Sequence, residues 1–224
     1  MDDTLATRLS LTNLTVNQFI LKNEIDPVDY TFNDFVTHYT ETNNITLDLG
    51  LPFINEEFFL GMTARGLYST AIFINPNVFF KRRNFSICHE VIHCLFDMNY
   101  KIPSQSFYNV EDRVNFYTEE EIRMENLADA GAGIILLPDI KLVHYFKTNK
   151  SYHYISDDCQ ISRSALYNRL VEFGVYNCGM SEETAARATK ILQNTGDRSL
   201  FRMYLTGVHS TKEKQIIYDF ENAI

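Results

Sequence analysis

The stretch CHEVIHCLFD, Cys88 to Asp97, places two histidines four residues apart with a glutamate directly after the first. In a helix, positions i and i+4 point the same way, so His89 and His93 can offer two imidazole nitrogens to one ion at roughly 2.0–2.1 Å. Glu90, one residue on, points beside such an ion rather than at it, where a general base for an activated water belongs. Cys88, Val91, Ile92 and Leu95 form one stripe, which leaves the histidines to one side of a buried face. An HExxH string occurs by chance in something like ~1 in 100 chains of this length, so an ordinary amphipathic helix remains the competing reading of the stretch taken alone.

A second helix separates the two readings. Thr118 with Glu121 three residues on is a capping box, and the helix it opens is expected to run to Leu137, where Pro138 closes it. Glu125, Ala128, Asp129 and Ala132 fall at i, i+3, i+4 and i+7 on it. One face then carries a candidate third ligand, Glu125, a carboxylate one turn along, and small residues that permit close helix contact. Three protein ligands with a fourth position open is the pattern of a catalytic zinc. Asp129 is placed to accept the second N–H of a ligating histidine, outside the direct ligand set. Gly131 and Gly133 each cost a helix about 1 kcal/mol relative to alanine, which is rationalised if two helices press together there. The acidic run Glu119-Glu120-Glu121 reads as favourable charge at a helix N-terminus. Cys88 and Cys94 read as small core residues, and His38 and His209 have no partner at ligand spacing.

The rest of the chain bounds the setting. With 224 residues, 45% of them hydrophobic, it can bury one good core or a core with a small appended subdomain. A balance of 29 acidic against 20 basic residues disfavours phosphate backbones, and Lys81-Arg82-Arg83 is the one local basic cluster. No apolar run reaches the roughly 20 residues of a membrane span and no leader is legible at the start, so a cytoplasmic protein is expected, without membrane contact. Four cysteines without CxxC spacing read as reduced thiols.

Asp26 as N-cap and Pro27 at the first helical position predict a helix over 26 to 42. Aromatic and β-branched runs from Phe58 to Asn75, joined near Arg65-Gly66, predict a β-hairpin. Residues 98 to 117 read as an ordered loop. After Pro138 come DIKLVHYFK, a piece near 153 to 160, SRSALYNRLVEFG, and a helix over 182 to 193 capped by Ser181; the last 25 residues are ambiguous between strand and helix. The expected fold class is therefore α+β: a zincin-like metallopeptidase domain over residues 1 to 150, with a small sheet packed on the HExxH helix, and a helical C-terminal subdomain over 151 to 224.

Taken in order, RRNFSICHEVIHCLFD, ENLADAGAGIILLP and SRSALYNRL resemble the ImmA/IrrE family of HExxH metallopeptidases, whose second motif reads ExxANxFAxxLLMP or ExxADxFAxxLLMP. The resemblance covers roughly residues 67 to 175. It implies zinc as cofactor, held by His89, His93 and Glu125, with Glu90 as base in peptide hydrolysis. It also implies a protein substrate, a helix-turn-helix repressor whose inactivation releases genes of mobile elements, prophages or stress responses. Gly131, where an aromatic is usual, and Asp129, where asparagine is common, depart from the pattern without touching the zinc chemistry. A second oxyanion donor is expected, with His144, Tyr145, Tyr152 and His153 as candidates in sequence. The edge of the hairpin offers an extended substrate a place to add as a strand.

Two readings from other classes stand beside this one. Tyr154 to Gly174 looks like a helix-turn-helix, which would make the protein a DNA-binding regulator, although only Arg163 and Arg169 supply positive charge there. A zinc-stabilised anti-repressor acting by contact alone would not need Glu90, and a structural zinc is usually closed by a fourth protein ligand, which is not evident.

Overall fold

The computed structural model describes residues 3–50, 59–99, 101–110, 117–207 and 210–224. The runs FLGMTAR and TAIFI pair antiparallel as β2 (Phe59–Arg65) and β3 (Thr70–Ile74), the hairpin that their composition predicts. Both strands lie inside a four-stranded sheet of order β1-β3-β2-β4, with β1 (Ile45–Asp48) parallel to β3 and β4 (Gln105–Val110) antiparallel to β2. Among the described residues the sheet edges are thus β1 and β4, and the hairpin has no free edge for a substrate strand. Side chains alternate across the pleat, so Gly61, Thr63, Ile72, Ile74, Phe107 and Asn109 share one face. On that face packs α3 (Phe80–Ile92), the HExxH helix, as the expected α+β architecture requires.

Strand β4 corrects the loop predicted over 98 to 117. Its inward positions are Gln105, Phe107 and Asn109, and the outward Tyr108 is 52% exposed, so the strand lacks the apolar-in, polar-out alternation that identifies one in sequence. Residues 111–116, the rest of that span, and His209 lie outside the described residues.

By contacts the chain divides into two units, residues 33–132 and residues 1–32 with 133–224. The first holds the sheet, α3, most of α2 (Phe32–Thr42) and most of α4 (Glu119–Leu136). Thr118 opens α4 as predicted: its backbone N–H and hydroxyl donate to Glu121 Oε2 at 2.8 and 2.7 Å, and Glu121 N donates back at 3.3 Å. Helix α2 starts later than Asp26 predicts. Asp26 closes a separate turn, accepting from Val28 N on its side chain and from Asp29 N and Tyr30 N on its carbonyl.

The second unit is helical: α1 (Asp3–Lys22), α5 (Asp139–Lys147), α6 (Tyr152–Asp158), α7 (Arg163–Tyr176), α8 (Glu182–Thr195), α9 (Ser199–Thr206) and α10 (Lys212–Glu221). The ambiguous ending is therefore two helices. The sequence reading divides the chain at 150, whereas α5 packs with α9 and α10 in this unit, its C-terminal carbonyls receiving Arg198 and Arg202. Ser151, Ser162 and Ser181 cap α6, α7 and α8 through side-chain oxygens. In the helix-turn-helix-like pair α6–α7, Leu166, Leu170 and Phe173 are fully buried. Arg169 is buried too, its guanidinium paired with Asp139 and donating through Nε to Leu137 O at 3.0 Å, which leaves Arg163 as the exposed arginine of that segment. No described helix is long and apolar enough to cross a membrane.

Candidate metal centre

Helix α3 brings His89 and His93 to one side, and there its hydrogen bonding changes. His93–Asp97 form a π-helical turn in which Met98 N donates to His93 O at 3.0 Å, an i to i+5 bond of the kind that clusters at functional sites. His93 Nε2 lies 3.1 Å from His89 Nε2. Glu125 reaches both from α4, with Oε2 3.1 Å from His89 Nε2 and Oε1 3.2 Å from His93 Nε2. Three donors bound tetrahedrally to one zinc at roughly 2.0–2.1 Å would lie roughly 3.3–3.4 Å apart, so the observed spacings fit a single ion. His89, His93 and Glu125, all buried, are the group among the described residues that can hold a metal.

Each imidazole is oriented from behind. His89 Nδ1 donates to Asp129 Oδ1 at 2.8 Å, as the spacing Glu125 to Asp129 predicts. His93 Nδ1 donates to Asp97 Oδ2 at 2.9 Å, a contact the sequence reading missed although Asp97 repeats the i+4 step from His93. Because an ionised carboxylate only accepts, the proton sits on Nδ1 and each Nε2 lone pair faces the metal position. Phe107 of β4 stacks on the His93 ring, centroids 4.6 Å apart and planes within 2°.

Electrostatics match a cation site. Burial pushes the His89 imidazole down, but hydrogen bonds to Asp129 and Glu125 outweigh it and raise the pKa to about 10. His93 is also raised, burial being overcome by Asp97 and Glu125. Burial raises Glu125, yet its bonds to both imidazoles hold it at about 2. The carboxylates thus demand positive charge between them, which protons or a metal can supply.

Glu90 is fully buried beside this triad. Its Oε2 accepts from the Thr63 hydroxyl at 2.7 Å, while Oε1 is buried without a partner. Burial raises its pKa against the opposing pull of His89 and His93, which favours taking up a proton. At Gly61 a Cβ would stand 2.9 Å from that Oε1 and 3.0 Å from Ile74 Cδ1, so glycine keeps the space clear. Thr63 and Gly61 were missed in sequence because strand register, not spacing, brings them here.

Gly131 meets the expectation of pressed helices, since a Cβ there would fall 2.6 Å from Ile92 Cδ1 of α3. Gly133 serves another contact, the stem of Arg169, whose Cδ would be 3.2 Å away. Cys88 and Cys94 are buried, with thiols pushed up chiefly by burial, in keeping with a packing role. The expected oxyanion donors belong to the helical unit. Tyr145 is buried with its hydroxyl donating to Asp158 and near Cys159, Tyr152 donates to Arg163 O, and His144 sits on the same helix as Tyr145.

An HExxH helix, a carboxylate from a second helix and a buried glutamate held by a sheet threonine make up a metallopeptidase-type centre. The IrrE N-terminal-like domain, Peptidase_M78, matches residues 49–171, more than half of the chain, and the chain belongs to that peptidase family. No match was found among curated proteins or among solved structures.

Proposed function

We propose that the protein is a zinc-dependent endopeptidase of the cytoplasm that cleaves a protein substrate, a helix-turn-helix transcriptional repressor, and so relieves repression. The observation that carries the catalytic part is Glu90: a buried carboxylate with one oxygen anchored by Thr63 and the other unpartnered beside three metal-ligating side chains. A structural site has no use for such a group, whose burial without a donor is unfavourable. Zinc is favoured by the two imidazoles and one carboxylate, a ligand set that leaves a position open. The choice of repressor rests on the family resemblance.

His89, His93 and Glu125 would hold the ion, which supplies Lewis acidity toward water and the scissile carbonyl when bound. Asp129 and Asp97 keep both Nε2 lone pairs aimed at it. Glu90 Oε1 takes the proton released by the attacking water, and burial lets Glu90 hold it until the leaving amine nitrogen receives it. Thr63 keeps the carboxylate from turning while this happens. An extended substrate would add along β4, the sheet edge that carries Phe107 against His93.

The test is to incubate the zinc-loaded protein, and a Glu90→Gln variant of equal zinc content, with the repressor encoded beside it. Repressor fragments are expected from the wild type and none from the variant. Equal relief of repression by both, with no fragment, would overturn the protease reading.

A further inference from the structure

The π-helical turn His93–Asp97 carries both a metal ligand and the carboxylate that orients it. Such turns are rare, and a backbone wound this way needs contacts that hold it. The helix does not continue past it, since Met98 is extended with φ −71° and ψ 119°. Successive peptide units alternate in direction along an extended segment, so the carbonyl of Asp97 and the N–H of Asn99 face the same side. The half-buried Gln105 reads both groups with one carboxamide. Its Nε2 donates to Asp97 O at 3.3 Å, and its Oε1 accepts from Asn99 N at 2.8 Å. A carboxamide suits this pair because it offers a donor and an acceptor side by side, whereas a carboxylate only accepts.

Strand β4 therefore meets the turn at both ends. Phe107 stacks on His93 where the turn begins, and Gln105, two residues back on the same face of the pleat, holds Asp97 where it closes. Two strand residues advance roughly 6.6–6.8 Å and four helical residues roughly 6 Å, so strand and turn run side by side in step. Arg65, the cross-strand partner of Gln105, reaches the same stretch from β2, donating to Asn99 O at 2.6 Å and to Ile102 O. With its backbone held, the Asp97 carboxylate, 5% exposed, stays 2.9 Å from His93 Nδ1. A turn released from Gln105 can close i to i+4 instead of i to i+5, which rotates Asp97 about the helix axis relative to His93.

We propose that Gln105 is a positioning residue of the metal centre: by tying Asp97 O and Asn99 N to β4 it keeps the Asp97 carboxylate on His93 Nδ1, and so His93 Nε2 on the ion. The proposal rests on His89, His93 and Glu125 being zinc ligands, and its test does not read peptide hydrolysis. Zinc affinity of the full-length protein is measured by competition with a chromophoric chelator, and the visible spectrum of the cobalt(II)-loaded protein reports coordination geometry. Gln105→Met, close in volume and unable to bond either backbone group, should lower zinc affinity by about three- to tenfold and alter the cobalt spectrum. That is less than the roughly 10–100-fold that follows loss of a direct orienting partner. In an Asp97→Ala background the same substitution should change affinity by less than about twofold, because its effect passes through Asp97, whereas a general weakening of the fold would add in full. Should Gln105→Met fail to fold, Gln105→Glu still accepts from Asn99 N but cannot donate to Asp97 O, and the same fall in affinity is expected. If the wild type binds zinc and the variants bind it as tightly with unchanged cobalt spectra, or if the two losses add in full, the proposal is overturned with the zinc reading intact. A wild type that binds neither zinc nor cobalt overturns both.

Discussion

Replacing Gly131 by alanine sets two effects of known size against each other. In a helix interior the change stabilises by about 1 kcal/mol through backbone entropy. Here the new Cβ would stand 2.6 Å from Ile92 Cδ1 and 2.8 Å from Cγ1, well inside the roughly 3.5–4.0 Å of carbon contacts. Ile92 is fully buried and cannot swing into solvent, so the helices must part or the side chain must leave its rotamer, at about 1–3 kcal/mol. The net expectation is destabilisation by roughly 0–2 kcal/mol. The strain falls next to His93 and two residues beyond Asp129, so parting α3 from α4 also draws Glu125 and Asp129 away from the imidazoles. Zinc affinity should then fall by roughly tenfold or more, as when an orienting contact is lost. Ile92→Ala removes Cδ1, Cγ1 and Cγ2, the three atoms the new Cβ would meet at 2.6, 2.8 and 3.3 Å, and in that background Gly131→Ala should recover most of its penalty, a coupling of roughly 0.5–3 kcal/mol. Urea denaturation of the four proteins of the cycle, with zinc competition against a chromophoric chelator, gives both quantities. If Gly131→Ala stabilises by about 1 kcal/mol in both backgrounds and leaves zinc affinity unchanged, close helix approach is not what this glycine serves.

Two further outcomes are expected. Asp97→Ala should lower metal affinity by roughly 10–100-fold, because His93 loses the acceptor that fixes its tautomer; unchanged affinity would remove Asp97 from the site. Stripped of metal by chelation, the protein should be most stable in a middle pH window. Glu125, held at about 2 against an ordinary 4.5, contributes stability present above pH 4.5 and lost as pH falls through 2. His89, raised from 6.5 to about 10, contributes stability present below pH 6.5 and lost as pH rises through 10. Urea midpoints across this range should trace that shape and flatten on the alkaline side in His89→Gln; an identical alkaline limb in the variant would refute the assignment.

Much of the candidate centre was legible because it depends on local chain geometry. His89 and His93 share a face by helical period, Glu90 flanks them by one residue, and the capping box at Thr118 sets the phase that turns Glu125 and Asp129 the same way. Short-range backbone geometry determines such relations whatever the rest of the fold does. Asp97 is intermediate: its spacing was visible, but a π-helical turn completes its contact.

Other features depend on which distant segments pair, and only the tertiary structure decided them. Thr63 anchors Glu90, Gly61 keeps its second oxygen clear and Phe107 covers His93 because β2 lies between β3 and β4 in one particular register. A shift of one residue would turn all three to the opposite face. Both hairpin strands lie inside the sheet and β4 is one of its edges for the same reason. Gly131 and Gly133 look equivalent in sequence, yet one admits Ile92 of α3 and the other the stem of Arg169. By itself the sequence determined the metal-ligating residue types and their phase along two helices, through the period of the backbone. The tertiary structure decided which side chains orient, bury and anchor them, because those neighbours are chosen by register and packing across the chain.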